Sequence, residues 1–118
     1  MTYIDGFVVP VPTANKQAYK RMAAKAMPVF AEYGALRIVE CWGDDVPKGK
    51  LTDFRMAVKA KANETVVFSW IEWPSKKMRN AGMKKAMQDP RLQPGGAMPF
   101  DGKRMIYGGF APLIDKTR

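Results

Sequence analysis

The distribution of apolar and polar residues is most informative in residues 66–73, which are mostly β-branched or aromatic. Alternate positions form two sets, Val66, Phe68, Trp70 and Glu72 on one side and Val67, Ser69, Ile71 and Trp73 on the other. Both sets are largely apolar, whereas a strand with one face in water alternates apolar and polar residues. Pro74 follows and cannot donate a hydrogen bond to a sheet, so it ends the stretch. We therefore expect 66–73 to be a central strand that is covered on both faces.

Three other stretches are predicted to be strands. Residues 3–11 form the first, which we expect Pro10 and Pro12 to end. Residues 35–42 form the second, and residues 103–113 form the last. Together with 66–73 these stretches predict four strands.

Two helices are predicted by apolar residues that recur every three or four positions. Thr13 has the side chain of an N-cap for the first helix, which runs to Tyr33 and stops at Gly34. Ser75 has the same role for the second helix, which ends near Gln88. The apolar positions are Tyr19, Met22, Ala23, Ala26, Met27 and Phe30 in the first helix and Met78, Ala81, Gly82, Met83, Ala86 and Met87 in the second.

Two segments between the second and third strands are less regular. Residues 44–50 are polar and contain proline and glycine, which predicts a loop. Residues 53–60 alternate apolar positions as a strand does, but Asp53 and the alanines suit a short capped helix. We favour the helix for this second segment.

Residues 89–102 contain three prolines and three glycines without periodicity, so we expect a long loop that is neither helix nor strand. Loops of this length inside compact domains are usually functional or disordered. The apolar side chains of Met98 and Phe100 should anchor its C-terminal end against the core, while Gly95 and Gly96 should stay mobile. We interpret the loop as a lid over an opening walled by Trp and Tyr rings.

The order of elements predicts the fold. The pattern βαβ(α)βαβ contains two β-α-β units of opposed direction, with no repeat or linker. It indicates a single α+β domain over 1–118 with the ferredoxin-like βαββαβ fold, a four-stranded antiparallel sheet with helices on one face. Because all four strands carry apolar residues on both sides, the second face is too apolar for a monomer. We therefore expect a tight twofold homodimer with a large interface.

The composition matters mainly for the chemistry it excludes. The 118 residues include no histidine and one cysteine, Cys41. Without histidine, Ser-His-Asp and Cys-His nucleophiles and His-containing zinc or iron sites are excluded, so chemistry would fall to carboxylates, Lys, Arg, Tyr or the substrate. One cysteine permits no internal disulfide, and the N-terminus lacks a signal-peptide pattern. We expect a cytoplasmic protein with no membrane span, no metal and no cofactor.

Several blocks of sequence match a known family. They are Asp5-Gly6-Phe7-Val8, Gly34-Ala35-Leu36-Arg37, Glu40-Cys41-Trp42, Val66-Val67-Phe68-Ser69-Trp70-Ile71, Trp73-Pro74-Ser75 and Met98-Pro99-Phe100-Asp101-Gly102-Lys103-Arg104-Met105. In this order, over nearly the whole chain, they resemble the YbaA-like family of small bacterial proteins of unknown function, in the dimeric α/β-barrel superfamily. The main departure is the glycine-rich loop from Gln93 to Ala97, so no pocket detail is transferred there.

The resemblance implies a homodimer whose sheets pack face to face, in a dimeric α/β barrel. It implies no activity, because the family has no established catalytic residues to transfer. The wider superfamily includes cofactor-free monooxygenases, lactone isomerases and haem enzymes. Whether this chain is an enzyme therefore has to be argued from its own site.

Three acids, Asp5, Glu40 and Glu72, lie within apolar strand sequence and are the catalytic candidates. In a dry cavity a carboxyl has a raised pKa and serves as a general acid or base. The structural alternative, which we favour, is that these acids lie at strand ends or pair with Arg37, Arg55 or Arg104. No spacing of acids signals a metal site.

An aromatic set is spread over all four predicted strands and supplies the candidate ligand-binding residues: Tyr3, Trp42, Trp70 and Tyr107, with Trp73 beside them. Large rings on a sheet usually fill a core or a dimer interface, which is the interpretation we favour. The alternative is a pocket for a flat apolar ligand, with Trp and Tyr as its walls. Cys41 is expected to be an inert buried thiol.

The net charge of +9 raises nucleic acid and other polyanions as partners. The basic residues cluster on the helices, opposed by one helical acid, Glu32: Lys16, Lys20, Arg21 and Lys25 on the first, and Lys76, Lys77, Arg79, Lys84 and Lys85 on the second. The RNA-recognition module has the same order of elements, but its aromatic motif lies on the sheet. The nearest match to that motif, residues 104–110, does not have the required residues and lies on the last strand. Nucleic acid is therefore disfavoured as a partner.

The sequence thus supports best an uncharacterised homodimer that binds a small aromatic or hydrophobic molecule. Cofactor-independent monooxygenase or isomerase chemistry would fit, with the three acids transferring protons and Tyr3 or Tyr107 orienting the substrate. One alternative is a non-catalytic polyanion- or RNA-binding protein that uses the basic helical face. Another is an interaction dimer without a ligand.

Overall fold

The structure is a computed structural model that describes residues 2–93 and 95–118. Its strands are β1 (Tyr3–Pro12), β2 (Arg37–Trp42), β3 (Glu64–Trp73) and β4 (Ile106–Phe110), and its helices are α1 (Lys16–Glu32), α2 (Phe54–Ala57) and α3 (Lys76–Gln88). Helix α2 confirms that the segment 53–60 contains a helix rather than a strand. The segment 44–50 is a loop, as predicted.

The four strands form one antiparallel sheet in the order β2-β3-β1-β4. β3 pairs with β1 along its whole length, from Trp73 opposite Tyr3 to Glu64 opposite Pro12. The stretch 66–73 is therefore an inner strand, as its apolar pattern predicts. The sheet order and the two long helices confirm the ferredoxin-like α+β fold.

All four strands differ at a boundary from the prediction: β2 begins two residues later and β3 two residues earlier than expected, and the differences in β1 and β4 have a structural reason. β1 continues through Pro10 to Pro12, because β4 pairs with β1 only along Ile4–Val8 and leaves the later part of that edge free. A proline on a free edge removes no hydrogen bond from the sheet. β4 is shorter than the predicted 103–113, since the 3-10 turn Gly102–Arg104 occupies the first part of that segment.

Three helix ends follow their sequence signals. The Ser75 hydroxyl accepts a hydrogen bond from the Met78 amide at 3.2 Å, and an Asp53 carboxylate oxygen accepts one from the Met56 amide at 2.6 Å. These are N-caps of α3 and α2. Gly34 has φ of 111°, the left-handed conformation that ends α1.

The predicted cap of α1 is wrong. Thr13 begins a 3-10 turn, Thr13–Asn15, and α1 starts only at Lys16. The Thr13 hydroxyl instead shares a hydrogen bond of 2.7 Å with the Thr65 hydroxyl on β3. A local cap is thus replaced by a contact between elements that are distant in sequence.

The register divides the strand residues between two faces of the sheet. The helical face contacts α1 and α3 through hydrogen bonds such as Tyr19 to Glu40 and Arg79 to Asp5. It carries Tyr3, Asp5, Phe7, Val9, Val11, Ile38, Glu40, Trp42, Val67, Ser69, Ile71, Trp73 and Tyr107. The open face carries Ile4, Val8, Arg37, Val39, Cys41, Val66, Phe68, Trp70, Glu72, Ile106 and Phe110.

Helix α3 packs closely against β3. A Cβ added at Gly82 would lie 2.5 Å from the Trp73 ring and 2.6 Å from the Tyr33 carbonyl oxygen. Trp73 is fully buried at this contact. The buried stripe of α3 is narrower than its spacing predicts, since three of its members are exposed: Met78, Ala81 and Met87.

The open face presents apolar side chains to solvent in the single chain. Phe68 is 45% exposed and Phe110 is 61% exposed. Helix α2 covers only one corner, where Phe54 packs edge-on against Phe68 with ring centroids 6.0 Å apart. Cys41 lies on this face and is exposed, so the predicted burial of its thiol is not seen in the single chain.

The segment 89–102 is more ordered than predicted. It begins with a 3-10 turn, Pro90–Leu92, which the sequence analysis did not anticipate. Asp89 fixes the turn, because its carboxylate accepts a hydrogen bond from the Arg91 amide at 2.8 Å. Pro94 lies outside the described residues, and the mobility of Gly95 and Gly96 stays a prediction.

Among the basic residues of α1 and α3, one differs from the others in its exposure. Arg79 turns towards the sheet, while the others in the set are exposed to solvent.

Helices long and apolar enough to cross a membrane do not occur in 2–93 or 95–118.

Candidate functional site

Two adjoining cavities lie between α1 and the helical face of the sheet. The larger has a volume of about 360 Å³ and opens beside β2. The smaller has a volume of about 170 Å³ and lies over the middle of the sheet. Tyr19, Ala23, Met27 and Glu40 line both cavities, so the two spaces meet at these residues. The combined space is in the range of small-molecule sites, roughly 300–1,000 Å³.

The apolar stripe predicted for the first helix forms one wall. All six of its residues line the smaller cavity: Tyr19, Met22, Ala23, Ala26, Met27 and Phe30. The opposite wall comes from the strands, through Phe7, Ile38 and Ile71. The three-and-four spacing therefore predicts the inward face of α1 correctly, although part of that face borders empty space.

The end of the segment 89–102 closes one side of the smaller cavity. Phe100 lines it and meets the Tyr19 ring edge-on, with centroids 5.7 Å apart. The Asn15 side-chain amide donates a hydrogen bond of 2.9 Å to the Pro99 carbonyl. The predicted anchoring of this end is thus found at Phe100, whereas Met98 is exposed.

One carboxyl lies where the two cavities meet. Glu40 on β2 accepts a hydrogen bond of 2.7 Å from the hydroxyl of Tyr19 on α1. Tyr19 is buried, and Glu40 is partly buried. Ser69, also buried, lies directly opposite Glu40 on β3. This group of three is the polar part of the cavity interior, and Lys16 and Lys20 also line the larger cavity.

Burial sets the protonation of this pair. It raises the pKa of Glu40 above its usual range, and the hydroxyls of Tyr19 and Ser69 oppose that shift only in part. Burial and the adjacent carboxylate also raise the pKa of Tyr19. Tyr19 therefore stays a hydrogen-bond donor at neutral pH, and Glu40 is poised to hold or accept a proton closer to neutrality than an ordinary glutamate.

Asp5, a second catalytic candidate, has a different environment on the same face. Its carboxylate accepts hydrogen bonds from the Arg79 guanidinium at 2.7 and 3.0 Å and from the Trp73 indole at 2.9 Å. The carboxylate in turn raises the pKa of Arg79. Asp5 is only 3% exposed and lines neither cavity. Arg79 is a partner that the sequence analysis did not consider for it.

Glu72, the third candidate, lies on the open face. The Trp70 indole donates to it at 2.9 Å, and the Arg37 guanidinium lies 3.7 Å away. The Arg37 pairing is one of those expected under the structural interpretation. Of the three acids, the structure therefore brings only Glu40 to the cavities.

Glu64 is a buried acid that the sequence analysis missed, because the predicted strand began two residues later. Arg104 donates two hydrogen bonds to its carboxylate, at 2.6 and 2.7 Å. These hydrogen bonds lower the pKa of Glu64 to about 2. The pair ties the start of β3 to the turn before β4 and has no part in the cavities.

The four rings predicted to bind a ligand do not come together. Trp42 lines the larger cavity. Tyr107 lies near the opposite edge of the sheet, 73% exposed, and stacks on Phe7 with centroids 6.3 Å apart. Tyr3 lies under the Arg79 guanidinium, 5.1 Å from its ring centroid, and Trp70 is on the open face. Tyr19 was predicted only as an apolar position of the first helix, and its hydroxyl was not considered. A buried tyrosine hydroxyl needs a hydrogen-bond partner, so a tyrosine in an apolar helix stripe is the sequence signal that points to such a polar contact.

Groups of three or more acidic or cysteine side chains that could hold a metal ion are not found within residues 2–93 and 95–118. The site consists instead of a mainly apolar cavity whose interior holds one carboxyl and two hydroxyls, with Lys16 and Lys20 in the lining of its larger part. Such a set can bind an apolar molecule, orient one polar group of it and exchange a proton with it.

These features define the class of protein. It is a ferredoxin-like α+β domain with a small-molecule-sized apolar space between its first helix and its sheet. Among solved structures, an uncharacterized NIPSNAP domain protein from Burkholderia xenovorans is similar, with a TM-score of 0.58 over 98% of this chain and 99% of that chain. The sequence identity is 14%, so the likeness concerns the fold alone.

The family can be stated as well. The family model described as "Protein of unknown function (DUF1428)" matches residues 2–102, and the chain belongs to this family. The "Uncharacterized protein YbaA" of Escherichia coli strain K12 is 67% identical over 117 residues, which cover 98% of this chain and 100% of that protein. A protein of the same description from Shigella flexneri has the same identity and coverage. The resemblance drawn from the sequence blocks is confirmed.

Proposed function

We propose that the protein binds a small, flat, hydrophobic molecule in the joined cavities and exchanges a proton with it through Glu40, as a homodimer and without a cofactor. The observation that carries this proposal is the position of the Glu40–Tyr19 pair. It places a carboxyl of raised pKa at the point where two apolar cavities meet.

The walls of the site support the choice of ligand. They are mainly Met, Ala, Ile and Phe side chains, with Trp42 at the larger opening. Methionines adapt to irregular apolar shapes, and an aromatic ring offers a flat surface. An apolar molecule of about ten to fifteen heavy atoms gains from leaving water for such a space.

The chemistry follows from the pair itself. A general base works best when its pKa lies near the operating pH, and burial moves Glu40 in that direction. The Tyr19 hydroxyl holds the carboxylate in place and remains protonated. Removing a proton from a carbon acid is a step of isomerisation, and it also forms the electron-rich carbanion that cofactor-independent oxygenation requires. Both reaction classes expected from the sequence are therefore compatible with Glu40.

The segment 89–102 would act as the cover of this site. Phe100 already forms part of the wall, and the rest of the segment connects it to the end of α3. A ligand in the smaller cavity would contact Phe100 and thereby stabilise the segment. We expect amide hydrogen exchange in 89–102 to slow when ligand binds.

The open face supports the homodimer. Its exposed aromatic and aliphatic residues form a surface that a water-exposed monomer would not keep. Leu113 and Ile114, which follow β4, are also almost fully exposed. A second copy covering it would place the two sheets face to face, with each cavity on the outer side of its own sheet.

The chemistry is tested with 2-tetralone, a flat apolar ketone whose C1 protons are weakly acidic. In D₂O the Glu40 carboxylate would take a C1 proton, and the resulting enolate would take a deuteron in return. The wild-type protein should accelerate this exchange, measured by NMR of the ketone. Glu40→Gln should abolish the acceleration but keep the ligand-induced rise in melting temperature, since glutamine preserves shape and accepts the Tyr19 hydrogen bond.

The matched control is Glu72→Gln, which alters a strand carboxyl outside the cavities and should leave the exchange rate unchanged. Equal acceleration by wild type and Glu40→Gln would contradict the role of Glu40. A ligand that binds only the folded protein raises its melting temperature as the ligand concentration increases. If 2-tetralone at increasing concentration does not raise the melting temperature, this counts against the cavity as a binding site.

The dimer is tested by sedimentation at micromolar concentration. Phe68→Glu should yield monomers, because it places a charge on the apolar open face. Met87→Glu, on the exposed surface of α3, should leave the mass of a dimer unchanged. A monomeric mass for the wild-type protein would contradict this part of the proposal.

A further inference from the structure

Two ammonium groups lie at the opening of the larger cavity. Lys16 and Lys20 are one turn apart at the start of α1, and both line this cavity. The Lys16 ammonium lies 5.5 Å from the centroid of the Trp42 ring, which lines the opposite side. The cation–π contact holds this charge at the rim rather than out in solvent.

Neither lysine is neutralised by the protein. Ion pairs among the described residues all use arginine as the cation, so neither ammonium has a carboxylate within 4.0 Å. The first turn of α1 contains no acidic residue. Within the described lining of the two cavities, Glu40 is the one acid, and its carboxyl is engaged by Tyr19 further along the helix.

The space behind the lysines is apolar. From Lys16 and Trp42 the larger cavity runs past Tyr19 and Glu40, where it joins the smaller cavity. The charge at the opening and the apolar interior therefore follow one another along α1. A molecule that matches both parts has a negative group at one end and an apolar body.

We propose that the ligand of this site is an amphipathic anion: an aromatic or aliphatic molecule whose single carboxylate pairs with Lys16 and Lys20 while its apolar body extends past Glu40. This inference rests on the proposed function, since it names the class of molecule that the same cavities take. The lysines fix the direction in which the molecule lies. The part of it that meets Glu40 is then a carbon several bonds away from the carboxylate.

The direct test compares two probes of equal shape, 2-naphthoate and 2-naphthamide, by isothermal titration calorimetry. The acid should bind at least about tenfold more tightly than the amide, as expected when the acceptor of a hydrogen bond from an ammonium group becomes charged. The preference should shrink when the salt concentration is raised, because ions screen exposed charges. The affinity of the neutral amide should not depend on salt.

The matched variants are Lys16→Gln with Lys20→Gln, and Lys76→Gln with Lys77→Gln. Both lower the net charge by two, and the second pair lies on the exposed surface of α3. The first double variant should reduce the acid-to-amide ratio to about one, mainly by weakening the binding of the acid. The second should keep the wild-type ratio. Binding of the amide by the first variant also shows that it is folded.

The outcomes separate this inference from the proposed function. If wild type binds the amide as tightly as the acid, or if the Lys16/Lys20 variant keeps the preference, the inference fails while the apolar cavity stands. If the α3 variant loses the preference equally, the effect comes from net charge, and the assignment to Lys16 and Lys20 is wrong. If neither probe binds, the cavity function and the inference fail together.

Discussion

The two halves of the helical face differ in how tightly the helix packs on the sheet and in which group faces the strand carboxylate. Under α3, Gly82 brings the helix against the Trp73 ring, and the buried Asp5 is neutralised by Arg79. Under α1, the packing leaves cavities, and Glu40 faces a tyrosine hydroxyl instead of a guanidinium.

The difference shows what decides the role of a strand carboxylate. Asp5 and Glu40 both point from the sheet towards a helix, so their positions in the strand pattern are equivalent. The helix residues that face them differ, because Arg79 faces Asp5 and Tyr19 faces Glu40. A charged, forked partner makes the first acid structural, whereas a neutral donor leaves the second able to change protonation. The α3 half thus stabilises the fold, whereas the α1 half is the part of the helical face where we propose that a ligand binds.

The largest effect is expected from removing the partner of Asp5. Arg79→Leu would leave a carboxylate buried with only the Trp73 indole as donor, and breaking a buried ion pair in this way costs about 3–5 kcal/mol. Urea denaturation should report a loss of this size. The control is Arg37→Leu, which removes an exposed pair with Glu72 worth about 0–1 kcal/mol. Equal losses in the two variants would contradict the assigned role of Asp5.

The packing of the two halves is compared by adding carbon atoms to each. Gly82→Ala adds one methyl group where the Trp73 ring and the Tyr33 carbonyl leave no room, so it should destabilise by about 1–3 kcal/mol. Ala26→Leu adds three carbons beside the smaller cavity and should change stability by less than about 1 kcal/mol. Thermal unfolding of both variants measures the contrast.

A further expectation concerns the same two variants in binding. Ala26→Leu should weaken the binding of 2-tetralone, because the added atoms occupy its space. Gly82→Ala, if folded at the assay temperature, should bind the ketone as wild type does. For stability, the contradicting outcome is that Ala26→Leu is less stable than Gly82→Ala. This result would mean that the α1 half is as tightly packed as the α3 half.

The smallest effect concerns the pH dependence of stability. Burial raises the pKa of Glu40 in the folded state, so the folded chain binds this proton more tightly than the unfolded chain does. Wild type should therefore lose a little stability as the pH rises from about 4.3, the usual glutamate value, through the folded pKa. Glu40→Gln lacks this loss, and its stability relative to wild type should increase between pH 4.5 and pH 8.

The sequence predicts the elements well because each has a local signal. The two apolar sets of 66–73 indicate an inner strand, Ser75 and Asp53 mark helix starts, and Gly34 marks a helix end. The errors arise where a distant contact replaces a local one. Thr13 bonds Thr65 across the fold instead of capping α1, and Pro10 stays within β1 because the neighbouring strand is short.

The site is predicted less well, for a physical reason. Strand alternation indicates which face an acid occupies but not which residue of a helix lies across from it. The sequence therefore supplies Glu40 as one of three equivalent candidates and cannot distinguish it from Asp5. Tyr19 has an apolar place in the helical stripe, and only the fold reveals that its hydroxyl meets Glu40.

The most direct test of this account is the pKa of Glu40 itself, followed by carbon-detected NMR of the side-chain carboxyls. Its titration midpoint should lie above the usual glutamate value of about 4.3, and it should rise further when 2-naphthamide fills the cavities and removes water. Tyr19→Phe should raise the midpoint as well, because it removes a hydrogen bond that favours the ionised form. A midpoint at or below the usual value, unchanged by the amide, would contradict the account.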